Sequence, residues 1–253
     1  MRLEHISWKK AEEYFKTHDT VIIAIGSIEN HGTHIALGTD TLVPDKILEL
    51  MEDKTEVAIA PTVPYGNADS LADFPGTISI GYDGLYTIMT KITDSLYNFG
   101  VRKFVFLNGH GGNIGALDAV ALNLNRKGAL AATFNWWLIA WDLNPAWKGG
   151  HGGAEETAAV MAVNPDFVDM NAIEPMVLND VSENLKATGF KTVEFKGINV
   201  NVTRTVRNLT ANGWVGPDHP SNATIEWGKE MLEATANYFA EFVNEFSKVK
   251  LEK

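Results

Sequence analysis

The sequence predicts an α/β protein built on a mainly parallel sheet with helices on both faces. Three observations point there. Short apolar runs such as Thr20-Val-Ile-Ile-Ala-Ile25 and Lys103-Phe-Val-Phe-Leu107 lack polar alternation, as strands buried on both faces do. These runs alternate with segments of helical periodicity, the pattern of strand–helix–strand units. Two of them end in loops dense in acids, histidines and glycines, and in open α/β sheets ligands bind at the carboxyl ends of strands. No internal repeat, low-complexity tract or linker interrupts the 253 residues, so a single domain over 1–253 is expected.

Taken in order, Ser7 can cap a first helix reaching about residue 17, with Ala11, Tyr14 and Phe15 on one face. The strand at 20–25 follows. A helix is expected over 43–52, with Ile47, Leu48 and Met51 at helical spacing and Pro44 in the first turn. A second strand spans 56–60 and stops at Pro61. Residues 61–81 read as a long loop carrying Pro64-Tyr65-Gly-Asn67 and Phe74-Pro-Gly-Thr77, and long loops in compact domains are often functional. Leu85, Ile88, Met89, Ile92, Leu96 and Phe99 mark an amphipathic helix closed by Gly100. A strand at 103–107, a helix at 114–125 and a strand at 129–136 come next. Residues 137–153, rich in Trp, Gly and Pro, read as a second functional loop, and 154–163 as helix. Within 170–213, Val193-Glu-Phe-Lys196 and Ile198-Asn-Val-Asn-Val202 suit strands of an insertion or an oligomer arm. A long helix over 221–248 ends the chain.

Composition narrows the function classes. The formal net charge of -11 argues against nucleic acid, whose binding needs a basic footprint; a small anionic substrate stays open. There are no cysteines, so any metal must sit on nitrogen and oxygen. The N-terminus is too charged for a signal peptide, and no apolar run approaches the length of a membrane span. The expected location is the cytoplasm.

The stretch Glu29-Asn-His31-Gly-Thr-His34, with Asp40 shortly after, packs two carboxylates and two imidazoles into twelve residues downstream of a strand end. Glu29 and His31 share one side of an extended segment. Asp40 suits either a helix cap or a ligand, and His34 reads as a solvated loop histidine. His110, in Asn108-Gly-His-Gly-Gly-Asn113, puts an imidazole at a second strand end. A third cluster is His151-Gly-Gly-Ala-Glu155-Glu156-Thr157. Its adjacent glutamates point about 100° apart on a helix, so at most one faces a shared site. Trp136, Trp137, Trp141 and Trp147 precede it and suit the core, an oligomer contact or flat walls for a substrate ring. Carboxylates with imidazoles suit zinc, manganese or iron, and metal-assisted hydrolysis is the first chemistry to expect of such a site.

Seven pieces in order carry a family resemblance: Gly26-Ser-Ile-Glu29-Asn-His31-Gly-Thr-His34, Leu37-Gly-Thr-Asp40, Pro64-Tyr-Gly66, Phe74-Pro-Gly-Thr77, Asn108-Gly-His110-Gly-Gly-Asn113, His151-Gly-Gly-x-x-Glu156-Thr157 and a terminal stretch from Gly216 through Ser221-Asn-Ala-Thr224 to Gly228. Together they resemble the creatininase (creatinine amidohydrolase) family. The resemblance implies a three-layer αβα sandwich, a centre of two divalent metal ions (zinc, manganese or iron) and a homo-oligomer, often a hexamer. It implies that Glu29, His31, Asp40 and His110 bind the metals, with Asp40 bridging. Creatininase proper has a further glutamate ligand two residues after the matching histidine. That position here is Gly112, and Glu156 is the expected replacement. His151 matches the family's proton-shuttling histidine. Trp136, Trp141, Asn113 and Tyr65 are expected to contact substrate. Gly111 stands where creatininase has a tyrosine, and Leu71 where many relatives have a histidine, so creatinine itself is not the expected substrate. Relatives with the Asn-Gly-His-Gly-Gly-Asn form include formamide deformylases, a peptidase-like maturation enzyme and a hydrolase of an inositol-derived ketone. The expected reaction is attack of metal-bound hydroxide on the carbonyl carbon of a small cyclic amide or formamide. The alternatives are hydrolysis of a carbohydrate-derived cyclic ketone or lactone at the same site and, in another class, a non-catalytic metal-binding or assembly protein.

Overall fold

A computed structural model describes residues 1–251. The chain runs through α1 (Trp8–Phe15), β1 (Thr20–Ile25), α2 (Thr39–Met51), β2 (Ala58–Val63), α3 (Gly81–Asn98), β3 (Lys103–Asn108), α4 (Ile114–Arg126), β4 (Leu130–Asn135), α5 (Trp136–Leu143) and α6 (Ala154–Val163). It continues through β5 (Lys186–Gly189), β6 (Thr192–Phe195), β7 (Ile198–Asn201), α7 (Val206–Leu209) and α8 (Ile225–Ser247).

The main sheet has the order β2-β1-β3-β4, and every pairing in it is parallel. Side chains alternate across each strand, and both faces are covered. Val21, Ile23 and Ile25 of β1 join Phe104 and Phe106 of β3 against Leu85 and Met89 of α3 and Leu117 and Val120 of α4. On the other face Ile22, Ala24, Val105 and Leu107 meet Val43 and Ile47 of α2 and Met231 and Phe239 of α8. This is the three-layer αβα sandwich. Double burial is why β1 and β3 read as unbroken apolar runs. The order also reverses direction between β1 and β3, a topological switch point where the connections diverge and leave a crevice. Ile25 pairs with Asn108 there, so the loops after these two strands leave the sheet side by side.

Several boundaries differ from the sequence reading. β2 continues through Pro61, because an edge strand tolerates a missing N–H. α2 starts at Thr39, with Gly38 as N-cap. Asp40 is therefore inside the helix rather than capping it, and Pro44 lies beyond the first turn. Residues 137–143 form a helix rather than a loop, and Trp136 starts that helix rather than ending the strand before it. The insertion folds as an antiparallel meander, β5-β6-β7, one strand more than expected. Among the described residues no helix is long and apolar enough to cross a membrane.

Candidate metal centre

Three chain segments converge at the switch point. The loop after β1 supplies Glu29 and His31, the first turn of α2 supplies Asp40, and the loop after β3 supplies His110. α6 enters from the side with Glu156 in its first turn and His151 just before it. Glu29, His31 and Asp40 are buried almost completely.

Each histidine is oriented by a backbone carbonyl, which can only accept. His31 Nδ1–H donates to the Glu29 carbonyl at 3.1 Å, His110 Nε2–H to Asn67 at 2.9 Å and His151 Nε2–H to Asn30 at 2.7 Å. Such outer bonds fix the tautomer and the ring plane. The second nitrogen of each ring then faces carboxylates. His31 Nε2 is 3.1 Å from Asp40 Oδ1 and 3.7 Å from Glu156 Oε2. His110 Nδ1 is 3.0 Å from Glu29 Oε1 and 3.1 Å from Asp40 Oδ2. His151 Nδ1 is 3.9 Å from Glu29 Oε1, and its ring lies 4.3 Å from that of His31.

Two overlapping donor sets result, Glu29/Asp40/His110 and His31/Asp40/Glu156, each with its donor atoms within 4.8 Å of one another. Glu29, His31 and His151 form a further set of this kind. The donor chemistry fits divalent cations, and two carboxylate oxygens are aimed at one place. Glu29 Oε1 and Asp40 Oδ2 are buried and share one facing nitrogen, His110 Nδ1, sparse pairing for carboxylate oxygens. Both point toward His110 Nδ1, and a cation would take the place of the proton that this nitrogen carries in the metal-free site. Glu29, Asp40 and His110 would hold one ion, and His31, Asp40 and Glu156 a second, with Asp40 common to both.

Protonation behaviour has the same origin. Burial disfavours a charged His31, but Asp40 and Glu156 outweigh it and push the imidazole up to about 10. His110 rises likewise, because Glu29 and Asp40 overcome its burial. Burial would raise Asp40, yet His31 and His110 hold it well below the usual carboxylate range. Burial pushes Glu29 up and Glu156 up to about 7. His151, buried beside His31, falls well below the ordinary value and is neutral at pH 7.

Gly112 has no room for a side chain as its loop stands. A Cβ there would run into the Asn67 carbonyl and His110 Nε2, on the ring edge turned away from the carboxylates. Glu156 is anchored by the Gly152 N–H, donated to Oε2 at 2.6 Å. Glu155 turns elsewhere and accepts the Trp141 indole N–H at 2.7 Å. Burial, with Glu156 alongside, pushes Glu155 well above the usual carboxylate range.

The centre opens into a cavity of about 780 Å³, within the usual range for small-molecule sites. Trp137 and Trp141 form part of its wall. They lie four residues apart on α5 and so share a face. Trp136 does not line it; its neighbouring position on α5 turns it into the core, as does the fold around Trp147. Asn113 is a buried brace instead: Nδ2 donates to the Gly26 carbonyl and Asn108 Oδ1, and Oδ1 accepts from Asn67 N–H. Tyr65 projects to solvent outside the cavity lining. His34 is buried rather than solvated, and its Nε2 is 3.2 Å from Thr157 Oγ1 of α6. Sequence reasoning passed over Asp218, which accepts the Glu155 N–H at 2.9 Å and steadies the start of α6. Its place near the terminal glycine-rich motif was the available signal. Phe190 and Lys191, also in the wall, carried none.

Fold and site thus define an α/β protein with a carboxylate–imidazole centre suited to divalent ions. A family model described as creatinine amidohydrolase matches residues 4–243, and the chain belongs to the creatininase family, a family of hydrolases. It is 31% identical over 154 residues to a mycofactocin precursor peptide peptidase of Mycolicibacterium smegmatis, covering 58% of this chain and 59% of that protein. It is 26% identical to a creatinine amidohydrolase of Pseudomonas putida, over 66% and 74% of the two chains. The chain thus spans about three-fifths of the length of the peptidase relative. A solved manganese creatininase superposes with a TM-score of 0.74 at 22% identity, over 98% of this chain and 99% of that one.

Proposed function

We propose that the chain is a metal-dependent hydrolase that cleaves the C–N bond of a small amide, either a cyclic amide or a formamide. The observation that carries this is Asp40, whose two oxygens face different imidazoles while it belongs to two donor sets. A pair of divalent ions there would supply Lewis-acid charge and lower the pKa of water toward neutrality. The protein's own residues do the rest. Glu29, His31, Asp40, His110 and Glu156 hold the ions. Trp137 and Trp141 exclude water and orient the substrate body. His151, neutral and with Nε2–H committed to Asn30, has Nδ1 free to accept a proton from the attacking water and pass it to the leaving nitrogen. Because it is neutral at rest, it acts as base before it acts as acid.

Apolar and aromatic residues dominate the wall away from the carboxylates, including Leu71, Trp137, Trp141, Met176, Leu178 and Phe190. That surface favours an amide with an apolar body over a polyhydroxylated ring, which would leave hydroxyls unpaired. A homo-oligomer and a cytoplasmic location belong to the same reading.

Metal analysis of purified protein is the direct test. The expected result is about two divalent ions per chain, with hydrolysis of at least one cyclic amide or formamide. Asp40→Asn should lose both ions together. Loss of only one ion, or metal-free protein with full turnover, would overturn the shared centre.

A further inference from the structure

The β5–β6 hairpin closes with a two-residue turn, Phe190-Lys191, and this turn forms part of the cavity wall. Its position is fixed from several sides. Phe190 packs against Leu71, Phe74 and Val206 and presents a ring at 87° to His151, with centroids 5.0 Å apart. The Lys191 carbonyl accepts the Val202 N–H at 2.7 Å. Phe190 thereby docks the turn beside His151, while the bond to Val202 holds exposed Lys191 within the meander.

Imidazoles aside, Lys191 is the one cationic residue of that wall among the described residues. No carboxylate lies within ion-pair distance of its ammonium there. Lys148 lies over the Trp141 ring, 5.6 Å from its centroid, and is not among the cavity-lining residues. A lone lysine at the mouth of an acidic site would normally fold back onto the acids. Here the cluster's carboxylates face the histidines, and two divalent ions would offset their charge. The loaded cavity then has a floor whose negative charge is offset, an apolar wall and an ammonium beside Phe190, an arrangement that admits an anion.

We propose that the Phe190-Lys191 turn is the specificity element of this pocket, and that Lys191 binds a carboxylate of the substrate away from the bond that is cleaved. One flexible ammonium without a guanidinium beside it suits a singly charged carboxylate better than a phosphate. The substrate class is thus an amide with an apolar body and an anionic end. The assignment rests on the hydrolase reading of the same centre.

The test is binding rather than turnover. The probes are straight-chain dicarboxylates from malonate to suberate, each compared with the monocarboxylate of equal length, titrated calorimetrically into metal-loaded protein. One carboxylate engages the ions, and the second reaches Lys191 at the chain length that spans the gap. At least one dicarboxylate should bind roughly threefold to tenfold more tightly than its monocarboxylate, between the worth of an exposed ion pair and that of a charge-assisted hydrogen bond. Lys191→Gln should erase this preference, and Lys191→Arg should restore it. No preference at any length, or a preference that survives in Lys191→Gln, overturns the proposal. Protein that shows the preference but cleaves no amide would overturn the hydrolase reading alone; protein that cleaves amides without the preference would overturn this proposal alone.

Discussion

Glu155 and Glu156 stand next to each other on the first turn of α6, and the helix separates their environments completely. Glu156 reaches the Gly152 N–H and His31; Glu155 reaches the Trp141 indole. Glu156→Gln removes a charged donor from one of the two donor sets, so metal occupancy should fall, read by elemental analysis after dialysis. Glu155→Gln keeps an oxygen for the indole and should leave occupancy nearly unchanged. Equal loss from both changes would show that the centre responds to the helix start as a whole rather than to one carboxylate. His151 poses a different question, because it belongs to one donor set as well as facing the pocket. As a proton carrier, His151→Ala should retain the ions and lose turnover by roughly 10²- to 10⁴-fold. Loss of metal along with activity would make it a ligand. Residue types at strand ends marked Glu29, His31 and His110 in the sequence as neighbours in the fold; Asp40, open to a cap or a ligand reading, joined them only through the family resemblance. The carbonyls of Asn30 and Asn67 that orient the rings were not legible, since any residue offers one. His34 was misplaced for a related reason: its burial depends on α6, 123 residues further along the chain.

At the level of elements, α8 matters because it carries α6, and α6 carries Glu156. Thr224 caps α8 by accepting the Trp227 N–H at 3.1 Å. One turn in, Gly228 lets the two helices touch: a Cβ there would run into the Ala158 carbonyl. Helix propensity alone would favour Gly228→Ala by about 1 kcal/mol. The obstacle, however, is helix backbone, which cannot swing aside as a side chain could. The clash should win, with a net loss of about 1–3 kcal/mol and a Tm several degrees lower by circular dichroism. A Tm that rises would mean that α8 slides on α6 without resistance. Strands β1 and β3 were readable because burial on both faces imposes an apolar run. α5 was not, because Trp136-Trp137-Leu-Ile-Ala-Trp141 is apolar on every side. It divides its tryptophans between core and pocket, so no amphipathic pattern announces a helix. The meander was only half visible: Lys186–Gly189 has no strand-like composition, and its pairing with β6 is what makes it a strand.

Across the whole molecule, the centre couples stability to pH in a way that depends on its metals. In metal-free protein, His31 has its folded-state value raised to about 10 from an ordinary value near 6.5. Its ion pairing stabilises the fold fully below about 6.5 and is lost as pH rises toward 10. Glu156, raised to about 7, acts in the same direction at lower pH, since its neutral form suits the buried site and ionisation above pH 4.5 erodes that advantage. His34 runs the other way. Burial lowers it to about 4, so between 4 and 6.5 the unfolded chain binds more protons and stability rises with pH; that contribution is complete before pH 7. Above pH 7 the site's net effect in metal-free protein is therefore a decline. Bound ions take the place of these protons and remove the dependence, and metal affinity itself improves as competing protons leave. Melting curves of loaded and chelator-treated protein at several values between pH 7 and 9 should show a Tm gap that widens with pH. Groups outside the centre contribute equally to both forms and cancel in the gap. A gap that stays constant or narrows would show that His31 is not held as an imidazolium between Asp40 and Glu156 when the metals are gone.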